Sequence, residues 1–315
     1  MHSHAPALQE ALLDHSRLAA PADALSPRQR RVLAAYFALP AALRQRVLFD
    51  VHPWSLPLQR VLQRLFGGAR NIDVRFAAGP LAGCKFRAYT AEKYFLLGAA
   101  FEPHVGELLK SLVAPGDIVC DVGAHAGYWT LALARMVGPA GRVIALEPSP
   151  RNYARLRANL ELNDCGAAGG RVMALNMAAG DRQGSAAFVE AGSWSHLANV
   201  TYSAPASEVL PPARASANAP ARASAEVEVR RLDDLVAVEL FPSPSFLLID
   251  VEGAAGSVLR GAEQLLCLRR PRLLCELHNP VEQKEVVSLL AACGYRTRRV
   301  SAGRAYPLHL AAQAA

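Results

Sequence analysis

Lysine is scarce in this 315-residue chain, confined to Lys85, Lys93, Lys110 and Lys284, and the arginines that supply the rest of the basic charge are spread over every segment. The formal net charge of +7 therefore forms no basic stripe with interleaved aromatics, which argues against a nucleic-acid partner. Cysteine is thin as well. Cys84, Cys120, Cys165, Cys267, Cys275 and Cys293 stand singly with no C-x-x-C pair, so no disulfide scaffold is indicated and reduced, mostly buried thiols are expected. Uncharged apolar runs of about eighteen residues, the least that spans a bilayer, are missing. The opening stretch MHSHAPALQEALLDHSRLAA places polar and acidic residues where a signal peptide would be apolar. A cytoplasmic protein without a membrane partner is expected. Gly and Pro follow no fixed period, which excludes collagen-like and low-complexity architectures. What is present is 52% hydrophobic residues, enough to bury a large core in one sizeable domain plus an appendage.

Three regions follow from the texture of the chain. Residues 1–70 read as a helical N-terminal extension: SPRQRRVLAAYFALP offers Ser26 and Pro27 as a helix start, and VLQRLF repeats the apolar spacing before Gly67 and Gly68 stop it. Residues 71–115 form a β-rich and helical lead-in, with VRFAAGPLAGCKFRAY broken at Gly79 and Pro80 and a helix from about residue 103 to 112. Residues 116–315 alternate strand and helix. Strands are predicted at 117–122, 142–147, 171–176, 245–251 and 272–278, and helices near 126–137, 150–162, 254–268 and 281–292. Alternation of this kind predicts an α/β three-layer sandwich around a doubly wound parallel sheet. Between the third and fourth strands, GSAAFVE and EVEVRRL read as short strands, while residues 203–225 hold too few large apolar side chains to pack and are expected to be a mobile insertion.

The strongest chemical signal is DVGAHAGYWT at 121–130, an acid closing a strand followed by glycines in the turn that opens a helix. Glycines let a ligand lie against the main chain at the C-terminal edge of the sheet, where open α/β folds bind ligands. A dinucleotide site would use G-x-G-x-x-G to bring amides onto a pyrophosphate. Here the acid comes first, which disfavours a diphosphate and suits a cationic amino group such as that of the methionine half of S-adenosylmethionine. Asp121, Gly123, Ala124, His125, Gly127 and Tyr128 are the candidate cofactor loop. The second strand ends on Glu147 and Pro148, where a carboxylate can accept both hydroxyls of a ribose. Tyr128 and Trp129 could line the pocket, although an aromatic at the start of an apolar helix also suits the core.

Taken together, PGDIVCDVGAHAGYWTLALARMVGPAGRVIALEPSPRNYARLRANLELN, RVMALNMAAGDRQGSAAF, RRLDDL and LLIDVEGAAGSVLRGAEQLL resemble the FkbM-type S-adenosylmethionine-dependent methyltransferases over roughly residues 75–300. The resemblance implies a class I methyltransferase (Rossmann-like) fold, a seven-stranded sheet whose last strands form an antiparallel hairpin, S-adenosylmethionine as cofactor, and O-methylation of a sugar or secondary-metabolite hydroxyl. Asp121, Gly123 and Gly127 fall on the family's cofactor loop, Glu147 on its ribose acid, and Asp250, Glu252 and Gly253 on its I-D-V-E-G hallmark. The chain departs from the family at His125, where Asn is usual, at Leu248, where Lys is usual, and at Ala255, where an acid is usual.

Methyl transfer to an alcohol is an in-line displacement that asks the protein to align the acceptor and remove its proton. Asp250 ends the fourth strand at the edge where Asp121 ends the first, and is the leading candidate for contact with the hydroxyl. Glu252 could orient the acceptor, although an acid there also suits a helix dipole. His278 ends the fifth strand and titrates near neutrality, as a base should; Glu276 shares its strand face and could orient it. Carboxylates with a histidine would suit Mg²⁺ or Mn²⁺, but no tight ligand spacing supports one and no metal is assigned. The expected partner is a small-molecule or glycan acceptor. Two other classes stay open: a nicotinamide-dependent oxidoreductase, and a methyltransferase-like binding module without activity.

Overall fold

The computed structural model describes residues 19–20, 31, 71–76, 79–89, 101–166, 170–189, 196–197, 224–300 and 307–315. Of the helical reading of residues 1–70, the described residues show Arg31 in helix but Ala19–Ala20 in a two-residue strand that pairs parallel with Asn71 and Ile72, a correction to that reading. The rest of it lies outside them, as does the mobile reading of 203–223. The chain divides into two compact units. In the first, β1 (Asn71–Arg75) and β2 (Lys85–Tyr89) pair antiparallel. The turn signal at Gly79 and Pro80 lies between them, and the Arg87 guanidinium grips Asp73 across the pair at 2.7 and 2.9 Å. A helix, α1 (Pro103–Leu112), leads on to the second unit.

The second unit is built on seven strands. β3 (Ile118–Val122), β4 (Arg142–Leu146), β5 (Val172–Leu175), β9 (Phe246–Ile249) and β10 (Arg272–Leu277) are the five strands predicted from the apolar runs. The sheet adds β11 (Tyr295–Arg299) and β12 (Leu308–Ala314), in the order β11-β12-β10-β9-β3-β4-β5. Neighbours from β10 to β5 run parallel, whereas β12 is antiparallel to both β10 and β11. The central strands are apolar on both faces because helices cover each side, and every residue of FLLI in β9 is buried. Helices α2 (Tyr128–Met136), α3 (Pro150–Glu161), α5 (Ala255–Arg260) and α6 (Pro280–Ala292) fall in the crossovers. Leu146, Leu247, Ile249, Val258, Leu277 and Leu290 share one core. At the N-terminal edge, Arg272 reaches both oxygens of Asp117 at 2.7 and 2.8 Å and the Leu112 carbonyl at 2.6 Å.

A second sheet carries the insertion. β6 (Ala178–Ala179) and β7 (Gly184–Val189) flank β8 (Ser224–Arg230), which is antiparallel to β7, so both short strands expected there exist. α4 (Leu232–Ala237) follows.

Three further expectations are corrected. Ser224 and Ala225, placed in the mobile insertion, are strand residues opposite Val189 and Phe188, because the alternation of EVEV carries the ladder past its charged part. The helix expected over 254–268 breaks: α5 ends at Arg260, and a π-helical turn, Leu265–Arg269, closes the segment. Gly261 packs so tightly that a Cβ there would stand 1.9 Å from the Gly180 carbonyl oxygen, and the Asp233 carboxylate takes the amides of Gln264 and Leu265 at 3.0 and 2.9 Å. Finally, Cys267 and Cys293 are joined by a disulfide, 26 residues apart, while Cys84, Cys120, Cys165 and Cys275 are buried free thiols. The π turn brings Cys267 to Cys293, the residue just after α6, a proximity that sequence spacing does not reveal.

Candidate functional site

Because β3, β4, β9 and β10 are parallel, the residues at their C-terminal ends share one edge of the sheet. Asp121 is the penultimate residue of β3; Glu147, Asp250 and His278 follow the ends of β4, β9 and β10. The turn after β3 is left-handed at Gly123 (φ 94°), His125 (φ 50°) and Gly127 (φ 88°). Asn, Asp and His are the side-chain-bearing residues that tolerate this region best, which explains how a side chain is accommodated at His125. The amides of Gly123 and Ala124 both donate to the Leu146 carbonyl at 3.0 Å, tying the turn to β4. Gly127 caps α2, and a Cβ there would press on Leu156 Cδ1 at 2.7 Å.

The two acids of this turn are enclosed. Asp121 accepts a hydrogen bond from the Thr130 hydroxyl at 2.6 Å; burial pushes its carboxyl up to about 6, with Thr130 pulling the other way. Glu147 accepts the His125 amide at 2.7 Å on one oxygen and the Ser149 amide at 2.9 Å on the other. Burial lifts its pKa to about 7 against those bonds and one to Asn152. Three of the carboxylate's roughly four acceptor sites are thus taken, which leaves about one for a further donor. Asn176 donates to the carbonyls of Glu147 and Pro148 at 2.8 and 3.0 Å, which fixes the strand tip. Tyr128 is buried in edge-on contact with Trp129, ring centroids 5.0 Å apart, a core position for both rings.

Beside this turn the second group of predicted residues converges. His278 Nε2 lies 3.2 Å from Glu252 Oε2, 3.4 Å from Glu276 Oε1 and 3.9 Å from Asp250 Oδ1, and its Nδ1 lies 3.7 Å from Glu282 Oε2. Asp250, Glu252, His278 and the flanking Glu276 are thus together. Burial opposes charge on the imidazole, yet Glu276, Glu282, Glu252 and Asp250 outweigh it and push His278 up to about 12. Burial would raise Glu276; instead His278 and His309 hold it well below the usual carboxylate range. Glu252 sits in the left-handed region at φ 48°, followed by Gly253 at φ 90°, a backbone cost on the order of 1–2 kcal/mol at a residue with a side chain that bends its carboxylate back to His278.

Two members were not found from sequence. Glu282, three residues after the helix-capping Asn279, gives its own amide to the Asn279 side chain and accepts the amides of His278 at 2.7 Å and Ala255 at 3.0 Å. The N-x-x-E spacing was the available signal, and it is this acid that the Ala255 amide engages. His309 stands directly opposite Glu276 across β10 and β12 and reaches its second oxygen at 3.0 Å; only the strand register reveals it.

A parallel sheet in this order, closed by one antiparallel strand and lined at one edge by a glycine turn and a buried carboxylate, is the class I methyltransferase fold. Residues 121–297 match the methyltransferase FkbM domain, more than half of the chain, which therefore belongs to the FkbM methyltransferase family. Among solved structures it is similar to the methyltransferase FkbM of Methylobacillus flagellatus, with 15% identity over 71% of this chain and 55% of that one and a TM-score of 0.45. A shorter likeness links it to protein-L-isoaspartate O-methyltransferases: 42% identity over 55 residues in Triticum aestivum, 18% of this chain and 24% of that one, and 47% over 58 residues in Aeropyrum pernix, 18% and 22%. The chain spans about a quarter of the length of these curated relatives. Among the described residues, no helix is long and apolar enough to cross a membrane.

Proposed function

We propose that the protein is an S-adenosylmethionine-dependent O-methyltransferase acting on a hydroxyl of a sugar or secondary metabolite. The observation that supports this best is the contact between the two halves of the site. The Gly123 turn lies directly on the Asp250 backbone, so a cofactor held by Asp121 and Glu147 would present its methyl group beside Asp250, Glu252 and His278. Of these three, Asp250 is the accessible one, its side chain 39% exposed while His278 is 3% exposed, and it meets the acceptor first. The hydroxyl gives its proton to Asp250, its oxygen attacks the methyl carbon, and the carbon–sulfur bond breaks with its electron pair on sulfur. The products are a methyl ether and S-adenosylhomocysteine. His278 and Glu252 hold the acceptor side of the site in place. Orientation of this sort supplies up to roughly 7–11 kcal/mol of barrier lowering. The reading keeps a cytoplasmic location and a small-molecule or glycan acceptor, with no nucleic-acid or membrane partner.

Transfer of labelled methyl from S-adenosylmethionine to a panel of sugars and polyhydroxylated metabolites tests it. The expected result is an alkali-stable methyl ether on one acceptor class. Binding of the cofactor with no turnover on any acceptor would favour a binding module, and reduction of a nicotinamide would replace the reading with an oxidoreductase.

A further inference from the structure

The acid cluster at the ends of β9 and β10 holds more negative charge than its own side chains balance. Four carboxylates, Asp250, Glu252, Glu276 and Glu282, surround one imidazole at 3.2–3.9 Å. Glu282 also holds backbone amides and Glu276 also meets His309, while Asp250 and Glu252 face His278 Nε2.

His278 carries the second observation. Its side chain is 97% buried by the 3% exposure already given, and neither ring nitrogen meets a partner at hydrogen-bonding geometry. Nε2 nevertheless points at oxygens of Asp250 and Glu252 at 3.9 and 3.2 Å. One atom from each of Asp250, Glu252 and His278 falls within 4.8 Å of the others. A six-coordinate cation with bonds of about 2.1 Å sets its ligand atoms about 3.0 Å apart along an edge and about 4.2 Å apart across the centre. Nε2 stands 3.2 and 3.9 Å from its two carboxylate neighbours, within the span of those two lengths, so the three atoms are grouped as the ligands of one ion would be. Two carboxylates and one imidazole suit a hard to borderline divalent ion, whose charge takes the place of the proton that the surrounding carboxylates favour on His278, that proton being released to solvent as the ion binds.

We propose that Asp250, Glu252 and His278 ligate one divalent cation of the Mg²⁺ or Mn²⁺ type, which holds an acceptor through two neighbouring oxygens, one of them the hydroxyl that is methylated. This rests on the hydroxyl-acceptor reading above and narrows it to vicinal diols and like chelating groups, since three protein ligands leave adjacent positions open toward the exposed side of Asp250. Asp250 binds the ion through Oδ1 and keeps Oδ2 for the proton. The ion polarises the hydroxyl as a Lewis acid; the bonds formed and broken are those given above.

The test is titration of the full chain with Mn²⁺ alone, reading the loss of the free-ion electron paramagnetic resonance signal. One Mn²⁺ per chain is expected, displaced by excess Mg²⁺. Affinity should fall at least tenfold in Glu252→Gln and in Asp250→Asn, and stay at the parent value in Glu228→Gln, on the surface of β8. Circular dichroism and S-adenosylhomocysteine binding establish that each variant is folded; Asp250→Asn, at an exposed side chain, serves if Glu252→Gln does not fold. Absence of a stoichiometric site, or a site that both variants leave unchanged, overturns the proposal. Methyl transfer to a diol that persists at full rate in EDTA also overturns it while leaving the hydroxyl-acceptor reading intact. Mn²⁺ bound as described, with no transfer to any hydroxyl, upholds the ion site and removes the acceptor reading.

Discussion

Gly123 lies against the main-chain carbonyl of Asp250, so close that a Cβ on it would stand 1.8 Å from that oxygen. The Asp250 amide meanwhile donates to the Val122 carbonyl at 2.9 Å, so the glycine turn and the first residue of the acid cluster are joined backbone to backbone. Gly123→Ala therefore faces two penalties, a left-handed φ of 94° and an overlap with backbone that has no side chain to swing away. The strain alone is worth about 1–2 kcal/mol. In Gly127→Ala the φ is similar, but the Cβ meets the Cδ1 end of Leu156, which can rotate. Calorimetry with S-adenosylhomocysteine should show Gly123→Ala losing more than tenfold in affinity and Gly127→Ala losing less. Equal losses would mean that the two halves of the site are independent.

Glu147 is the residue on which cofactor binding should depend most steeply. A charge-assisted hydrogen bond to a ribose is worth roughly 1.5–3 kcal/mol, so Glu147→Ala should weaken binding by about tenfold or more. Its pKa near 7 in the free protein, raised by burial, adds a pH dependence. The ribose hydroxyls donate to the ionised form, so affinity should climb as pH rises through 7 and level off above 8 or so. A Glu147→Gln protein should show no such rise, and a parent affinity that is flat over this range would dissociate Glu147 from the ribose.

The same enclosed acids act on stability with a defined sign. Asp121 and Glu147 both have folded pKa values raised above their ordinary ones, to about 6 and about 7, because burial disfavours charge. The folded chain then holds protons that the unfolded chain has released. Their stabilising contribution is complete below the unfolded values and is lost as pH rises through 6 to 7. Urea unfolding at pH 5 and pH 8 should show the parent losing more stability over that interval than Glu147→Gln does, by at most about 3 kcal/mol. An identical loss in both proteins would place the ionised carboxylate in a better-solvated setting than the structure gives it.

The grouping of Asp121, the glycine turn and Glu147 was legible because its signals are local. An acid at the tip of an apolar strand, glycines in the next turn and a second acid on the next strand all follow from short-range pattern, and the parallel order of the strands places them on one edge. Asp250, Glu252 and His278 could be nominated by the same rule. Their mutual distances could not, because these depend on the left-handed turn at Glu252 and on Glu282 tying the end of β10 to the start of α5. His309 was invisible for a different reason: it enters through the register of β12 on β10, between segments more than thirty residues apart in the chain. The break at Gly261 escaped notice because the apolar period continues through it, and only the approach of the Gly180 carbonyl explains it.

The Cys267–Cys293 bond is the feature most at odds with the sequence-based expectation of reduced thiols, and it gives the last prediction. Cys267 lies in the π turn before β10 and Cys293 at the end of α6, so the bond ties together the two ends of the β10–α6 segment. Closing a loop of that length removes unfolded-state entropy worth about 3.5 kcal/mol in the chain-entropy account. In denaturant without reductant, a thiol assay should count four reactive cysteines, the number that remain free, rising to all six after reduction. Cys267→Ser should lower the melting temperature of the oxidised protein and leave that of the reduced protein nearly unchanged. Both cysteines precede or follow the sheet at its N-terminal edge, away from the strand ends that carry Asp121, Glu147 and Asp250. Cofactor affinity should accordingly be the same before and after reduction. A count of six without reductant would show that the bond is absent in solution, and a fall in affinity on reduction would show that α6 transmits the change to Glu282 and His278 at its start.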